Sequence, residues 1–357
     1  MNTTPAEVRL DVLTGRYVIL VPSRANRPGS KHQDPPLYSE TDPFAEGAES
    51  ETPDECFAVR AADSAPNGPG WLLRVVPNRY PIAAPADHLL TTSAQDPSLN
   101  AANCLFPSAP FNGRHEVVIE CPDSRSRLLD LSNTEILQVL KAWRERSRIL
   151  IAERRYRTLA VYRNEGFSAG ASLPHCHSQI LATYRLSQLD QIRTNRADAY
   201  RRQYQRELLA DLLAAEQHSE TRLITQTNHL TVLCPFAPRA AWHVRFAPRP
   251  SRPAFLDTAE DDLLQEIATL LPGVLHAIEA ACGGHIAMNI VVSQPPIDRP
   301  PAWSWLLELL PRLTKQAGWE LLTDEDSFPG QPEIWAKFIR QQLSAAQTLT
   351  GNHTGNR

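Results

Sequence analysis

Asn164 to Gln179, NEGFSAGASLPHCHSQ, is the stretch whose residue types and spacing can carry out a reaction. Read as a strand, it alternates His175, His177 and Gln179 onto one face, about 6.5–7 Å between successive positions. Gly166, Ser168, Gly170 and Ser172 precede them in a loop. Glycine lets backbone N–H groups and hydroxyls come close to phosphate oxygens, because no Cβ bars the approach. A neutral imidazole beside such a cradle is a good nucleophile near pH 7 and can attack phosphorus to give a phosphoramidate. The second histidine and the glutamine amide can orient the ring or bind a non-bridging oxygen. Taken alone, HxHxQ also fits two metal-ligating or simply hydrogen-bonded strand histidines.

The elements that must hold this face are readable around it. Strand-like runs at 158–163 and 175–183 flank the loop 164–174. A helix opens at Ser132, where Ser132 and Glu135 have capping-box spacing, and runs to about residue 154 with Ile136, Leu137, Leu140 and Trp143 on its buried face. Further strands are expected at 71–76 and 115–120, and a hairpin over 8–21 around Thr14-Gly15. Residues 22–70 are crowded with Pro, Gly and acids and read as a loop or excursion. Residues 187–217 read as one long exposed helix between two halves.

The second half looks like a loose copy of the first. Strands are expected at 230–234, 243–246, 285–292 and 303–310, with helices over 257–282 and 332–343. Pro272 is expected to kink or split the former. The fold class is α+β, two related halves each with an antiparallel sheet packed by helices. The expected division is 1–186, 187–347 and a disordered tail, 348–357.

Composition narrows the partners. With 357 residues and 42% apolar content there is ample material for a core. A net charge of -4 argues against a broad nucleic-acid grip, so phosphate must be held by a few placed groups. No apolar run is long enough to span a bilayer, and the opening residues do not read as a secretory signal, so a cytoplasmic protein is expected. Six scattered cysteines (56, 104, 121, 176, 234 and 282) read as free thiols.

Five segments carry a family resemblance in order: RLDVLTGRYVILVPSRANRP, RVVPNRYP (74–81), GRHEVVIECPDS (113–124), the HCHSQ run, and ELLPRLTKQAGWEL (308–321). In these the chain resembles the galactose-1-phosphate uridylyltransferase family and its ADP-glucose phosphorylase-like relatives, within the histidine-triad superfamily. The resemblance implies two histidine-triad-like halves and a nucleotidyltransferase with a ping-pong cycle. By position, His177 resembles the nucleophile, with His175 and Gln179 beside it and Gln179 on the nucleotidyl phosphate. Ser172 resembles the hydroxyl on the β-phosphate side, Asn164 and Asn78 the nucleotide-contacting asparagines, and Arg24 and Arg27 a basic pair near the phosphates. Each has a plainer reading: Arg24 and Arg27 as surface charges, Asn78 as a turn cap before Tyr80-Pro81, Ser172 as a locally paired hydroxyl.

The resemblance also implies a zinc site, and here the chain departs from it. Asp42 and Ala45 stand in place of two thiolates, and Ser124 in place of a histidine, leaving His175 alone. No cofactor is therefore expected. Ser304 to Leu306 replaces a second family HxH, leaving Trp303, Trp305 and Trp319 as packing candidates. Asp324, Glu325 and Asp326 lie in a segment that in relatives helps form the sugar-phosphate pocket. They read as a charged loop or as ligands of sugar hydroxyls. The leading expectation is a UDP-glucose–hexose-1-phosphate uridylyltransferase of galactose metabolism, a homodimer acting on a nucleotide sugar and a sugar phosphate. The alternatives are an ADP-glucose or dinucleoside polyphosphate phosphorylase, a weakened nucleotide-binding protein, or a hydrolase with water as acceptor.

Overall fold

The computed structural model describes residues 5–24, 34–35, 37–83, 85, 105–106, 110–250 and 254–351. The first hairpin pairs β1 (Glu7–Leu10) with β2 (Tyr17–Leu20), Glu7 opposite Leu20. Asp11 shapes the turn by accepting from the Leu13 N–H and the Thr14 hydroxyl, and Gly15 takes a φ of +78° that a Cβ would resist.

The first half continues with β3 (Phe57–Arg60), β4 (Trp71–Pro77), β5 (Gly113–Ile119), α1 (Asn133–Ala152), β6 (Thr158–Glu165) and β7 (His177–Thr183). Then come α2 (Gln188–Tyr204), α3 (Leu208–Ser219), β8 (Leu223–Gln226), β9 (Leu230–Leu233) and β10 (Val244–Pro248). After them follow α4 (Asp261–Cys282), β11 (Met288–Ser293), β12 (Leu306–Pro311), α5 (Gly318–Thr323), β13 (Asp326–Phe328) and α6 (Pro332–Gly351).

A 10-stranded sheet runs β3-β4-β5-β7-β6-β11-β12-β10-β9-β8. Read outward from its middle, both sides have the same connectivity, so the second half repeats the first in topology. The halves join where β6 and β11 pair antiparallel, with Asn164 opposite Asn289. β13 adds parallel to β2 in a separate 3-stranded sheet.

The Ser132–Glu135 capping box opens α1 as its spacing predicts. Ile136, Val139, Leu140 and Trp143 of α1 share one core cluster with Ile267 and Leu271 of α4 and with Ile180 and Ala182 of β7. Each buried Ile, Val or Leu among them contributes roughly 1.5–3 kcal/mol. Trp143 Nε1 donates to Ser178 Oγ at 2.7 Å, so the even-numbered residues of β7 face α1. Strand alternation then turns His177 and Gln179 to the opposite face.

Several elements depart from the sequence reading. Residues 22–70 are not all loop, because β3 lies among them, pinned by Glu55 bridging Arg60 and the buried Arg74. The helix expected over 187–217 is two, broken where Gln205 adopts a left-handed φ of 56°. Nor is it simply exposed: Arg193, Thr194, Ala197, Leu208, Leu209 and Leu213 are buried. β8, α5 and β13 were not expected. α4 runs unbroken through Pro272, and α6 extends past residue 343 to Gly351. Trp303 and Trp305 are buried, but Trp319 is 52% exposed and packs no core. Cys56, Cys121, Cys176, Cys234 and Cys282 are free thiols, and Cys104 lies outside the described residues. No described helix is long and apolar enough to cross a membrane.

Candidate active site

β7 begins at His177, so His175 sits just ahead of the strand rather than in it. The His177 Nδ1–H donates to the His175 carbonyl at 2.7 Å, which leaves Nε2 as the ring's lone pair. Burial, aided by the charges of Arg163 and His175, holds the imidazole's pKa down to about 4, so the ring is neutral at physiological pH. Phe44 meets the ring edge-on at 5.3 Å. A neutral, tautomer-fixed imidazole is the species that attacks phosphorus.

Behind the strand lies a charge the sequence reading passed over. Arg163 of β6 is 1% exposed. Its Nη1 donates to Glu120 at 2.9 Å and to the His177 carbonyl at 3.3 Å. Its Nη2 donates to Glu165 at 2.9 Å and to Cys176 Sγ at 3.4 Å. The guanidinium fork thus ties the His177 backbone to Glu120 and Glu165.

Gln179 is tied as well. Its Oε1 lies 2.8 Å from His115 Nε2 and 3.0 Å from the Tyr162 hydroxyl. Neither His115 nor Tyr162 was singled out from sequence, although GRHEVVIE contains the first and strand alternation places it on an inward face. Asn78 joins the same group, with Nδ2 3.4 Å from His115 Nε2. Its Oδ1 accepts from the Tyr80 N–H at 2.8 Å, so the turn-capping role is real.

The loop ahead of the histidines needs its glycines, since Gly166 and Gly170 have φ of +87° and +85°. Its Phe167 and Ser168 N–H groups do hold an oxyanion, but an internal one: the Asp34 carboxylate, at 2.7 and 2.9 Å. Ser172 is exposed, and no hydrogen bond of its hydroxyl occurs among the described residues. Asn164 is oriented across the joint between the halves, its Oδ1 accepting from Asn289 at 2.9 Å. Arg24 is exposed at the end of a short 3-10 turn and no described contact brings it to His177. Arg27 lies outside the described residues.

Asp42, Ser124 and His175 do come together, His175 and Asp42 as an ion pair and Ser124 hydrogen-bonded to Asp42. His175 Nδ1 is 2.8 Å from Asp42 Oδ2 and its Nε2 is 2.9 Å from the Cys121 carbonyl, so both nitrogens face acceptors. Burial opposes the charge, but hydrogen bonds with Cys121 and Asp42 outweigh it and raise the His175 pKa to about 9. Ser124 donates its hydroxyl to the same Asp42 oxygen. With Ala45 and Ser124 offering neither a thiolate nor an imidazole, Asp42 and His175 are two donors, short of the four a closed zinc site takes, so these residues do not fit a structural zinc ion. Among the described residues no group of three or more His, Cys, Asp or Glu is placed to hold one. At the second position Leu306 is buried among Trp303, Leu209 and Leu213. The acidic run near residue 324 is occupied in part, since Arg16 pairs with Asp326 at 3.1 Å and Asp324 at 3.7 Å.

A buried strand histidine whose Nε2 has no hydrogen-bond partner among the described residues, an amide two residues on and a glycine loop are chemically able to serve group transfer at phosphorus. Residues 2–186 match the family described as galactose-1-phosphate uridyl transferase, N-terminal domain, and the chain belongs to that family. It is an enzyme family of nucleotidyl transferases and phosphorylases acting on sugar phosphates. The chain is 28% identical over 348 residues to an ADP-glucose phosphorylase of Arabidopsis thaliana, covering 95% of this chain and 93% of the relative. It is 26% identical over 234 residues to a probable galactose-1-phosphate uridylyltransferase of Drosophila melanogaster, covering 64% of this chain and 61% of the relative. The crystal structure of the A. thaliana ADP-glucose phosphorylase with bound ADP-glucose superposes with a TM-score of 0.75 at 26% identity, covering 94% of this chain and 99% of that one.

Proposed function

We propose that this protein takes a nucleoside monophosphate from a nucleotide sugar onto His177 Nε2, and that its overall reaction is the phosphorolysis of ADP-glucose. The observation that carries the chemistry is the His177 Nδ1–H bond to the His175 carbonyl, which leaves Nε2 free and neutral. Similarity along nearly the whole chain to an ADP-glucose phosphorylase supports the donor and acceptor.

In this reading Nε2 attacks the phosphorus next to adenosine. The bond to the bridging oxygen breaks and glucose 1-phosphate leaves with the electron pair. Ring charge gained on forming the N–P bond is stabilised through the Nδ1–H and the carbonyl it already holds. Inorganic phosphate then attacks the same phosphorus, releasing ADP and restoring neutral imidazole. Gln179 and Ser172 bind phosphate oxygens. This reading routes no step through zinc, since His175 and Asp42 have neither a thiolate nor a second imidazole beside them at Ala45 and Ser124. The assembly we expect is a cytoplasmic homodimer.

The match of residues 2–186 to the uridyl transferase family favours a second reading, uridylyl transfer to a hexose 1-phosphate. Product analysis separates the two. ADP-glucose with phosphate yields ADP and glucose 1-phosphate under the first, whereas UDP-glucose with galactose 1-phosphate yields UDP-galactose under the second. Turnover of neither pair overturns both.

A further inference from the structure

Gln179 can donate to a phosphate oxygen only if its amide nitrogen, rather than its oxygen, is turned to the site. The contacts around it decide which. The Ile82 main-chain N–H donates to His115 Nδ1 at 3.2 Å, so that nitrogen is an acceptor and the ring proton sits on Nε2. Nε2–H then has Gln179 Oε1 at 2.8 Å as its shortest neighbour. The Tyr162 hydroxyl, whose oxygen lies 3.1 Å from His115 Nε2, donates its proton to that same Gln179 oxygen at 3.0 Å. With Gln179 turned over, its NH2 would face the His115 N–H, donor against donor, beside a ring only 5% exposed.

Asn78 leaves this assignment intact. Its Oδ1 is taken by the Tyr80 N–H, and its Nδ2 makes the longest of the contacts to His115 Nε2, 3.4 Å. Burial pushes the His115 pKa down, which keeps the ring neutral. Strand register supplies the geometry: Tyr162 of β6 lies opposite Gln179, and His115 of β5 is a diagonal neighbour beyond Val117. Both lone pairs of Oε1 are therefore engaged from behind. No hydrogen bond of the amide nitrogen occurs among the described residues.

We propose that His115 and Tyr162 are positioning residues that hold the Gln179 oxygen inward and aim its two N–H groups at the transferred phosphate. The inference rests on the proposed reaction for its consequence, but not for its geometry.

The geometry is read first, by long-range 1H–15N spectra of histidine-labelled protein without ligand. A neutral His115 protonated on Nε2 is expected, and protonation on Nδ1 overturns the proposal. The consequence is read by a double-mutant cycle on steady-state kinetics. His115→Phe and Tyr162→Phe are each expected to lower kcat by about tenfold to a hundredfold while KM moves by less than about threefold. His115→Gln, which keeps a donor near the Nε2 position, is expected to restore most of that loss. In a Gln179→Ala background, His115→Phe is expected to cost less than about twofold more. Full additivity overturns the proposal, because a merely structural role for His115 would not depend on Gln179. If the wild type turns over no nucleotide sugar, the proposed function fails, and the tautomer still decides this inference alone.

Discussion

Replacing Arg163 with methionine removes the cation that seats the His177 strand, and the cost can be worked out from its partners. Arg163 is 2.9 Å from Glu120 and 2.9 Å from Glu165, with both its own side chain and that of Glu120 almost wholly buried. Glu165 keeps another partner, the Leu128 N–H at 2.7 Å, whereas Glu120 loses its cation. Burial already pushes the Glu120 carboxyl up from its ordinary 4.5, and Arg163 holds it down against that. In the variant the cheapest relief is to take up a proton. At pH 7 that costs ~1.4 kcal/mol for each unit above 4.5, or about 3.4 kcal/mol, which caps the charge contribution. Lost hydrogen bonds add roughly 1 kcal/mol, so the total is about 3–5 kcal/mol, the usual cost of breaking a buried pair. The sign with pH follows. The folded variant holds a proton on Glu120 that the unfolded chain releases above 4.5, so its stability falls by ~1.4 kcal/mol per unit as pH rises above about 5. Its deficit widens with pH once the wild-type carboxyl, itself raised by burial, has ionised. Guanidinium unfolding of wild type, Arg163→Met and Arg163→Met/Glu120→Gln at several pH values measures this. The double variant is expected to recover most of the loss and to lose the pH dependence. A single-variant cost below about 1 kcal/mol, or a deficit flat with pH, shows the argument to be wrong.

Two further outcomes follow from the site. Elemental analysis of the purified protein is expected to find no stoichiometric zinc, and a chelator to leave its melting temperature unchanged. One zinc per chain that disappears in His175→Ala contradicts the ion-pair description. Gly166→Ala is expected to destabilise by about 1–3 kcal/mol in the same unfolding assay. At φ +87° its Cβ would lie 2.5 Å from Asp34 Oδ2 and 2.8 Å from Ala287 Cβ. A neutral effect there would mean the loop gives way easily.

The face that His177 shares with Gln179 was readable from the sequence because strand alternation is local: the two are two residues apart in one strand and one face follows. The capping box at Ser132 and the repeat of the first half by the second were readable for the same reason. What supports that face was not. His115 and Tyr162 reach Gln179 through the pairing of β5 and β6 with β7, and register between strands far apart in sequence is set by the whole sheet. Arg163 looks like an ordinary strand charge until Glu120 and Glu165 are brought to it. Asp42 and Ser124 were noted as departures from a metal site, yet only the fold shows that Asp42 pairs with His175 and that Ser124 bonds to Asp42. The short run FAVR was hidden among Pro and Gly, and Gln205 carries no residue-type signal for its left-handed break. Trp319 shows the limit of composition, since a tryptophan expected to pack lies half exposed.

The decisive measurement is the intact mass of the protein after mixing with ADP-glucose, and separately with UDP-glucose, in the absence of any acceptor. An AMP adduct is expected with the first donor, absent in His177→Ala and discharged as ADP when phosphate is added. A UMP adduct alone would move the assignment to uridylyl transfer. No adduct with either donor, while calorimetry still shows one of them binding, would contradict covalent transfer through His177 and leave a nucleotide-binding protein.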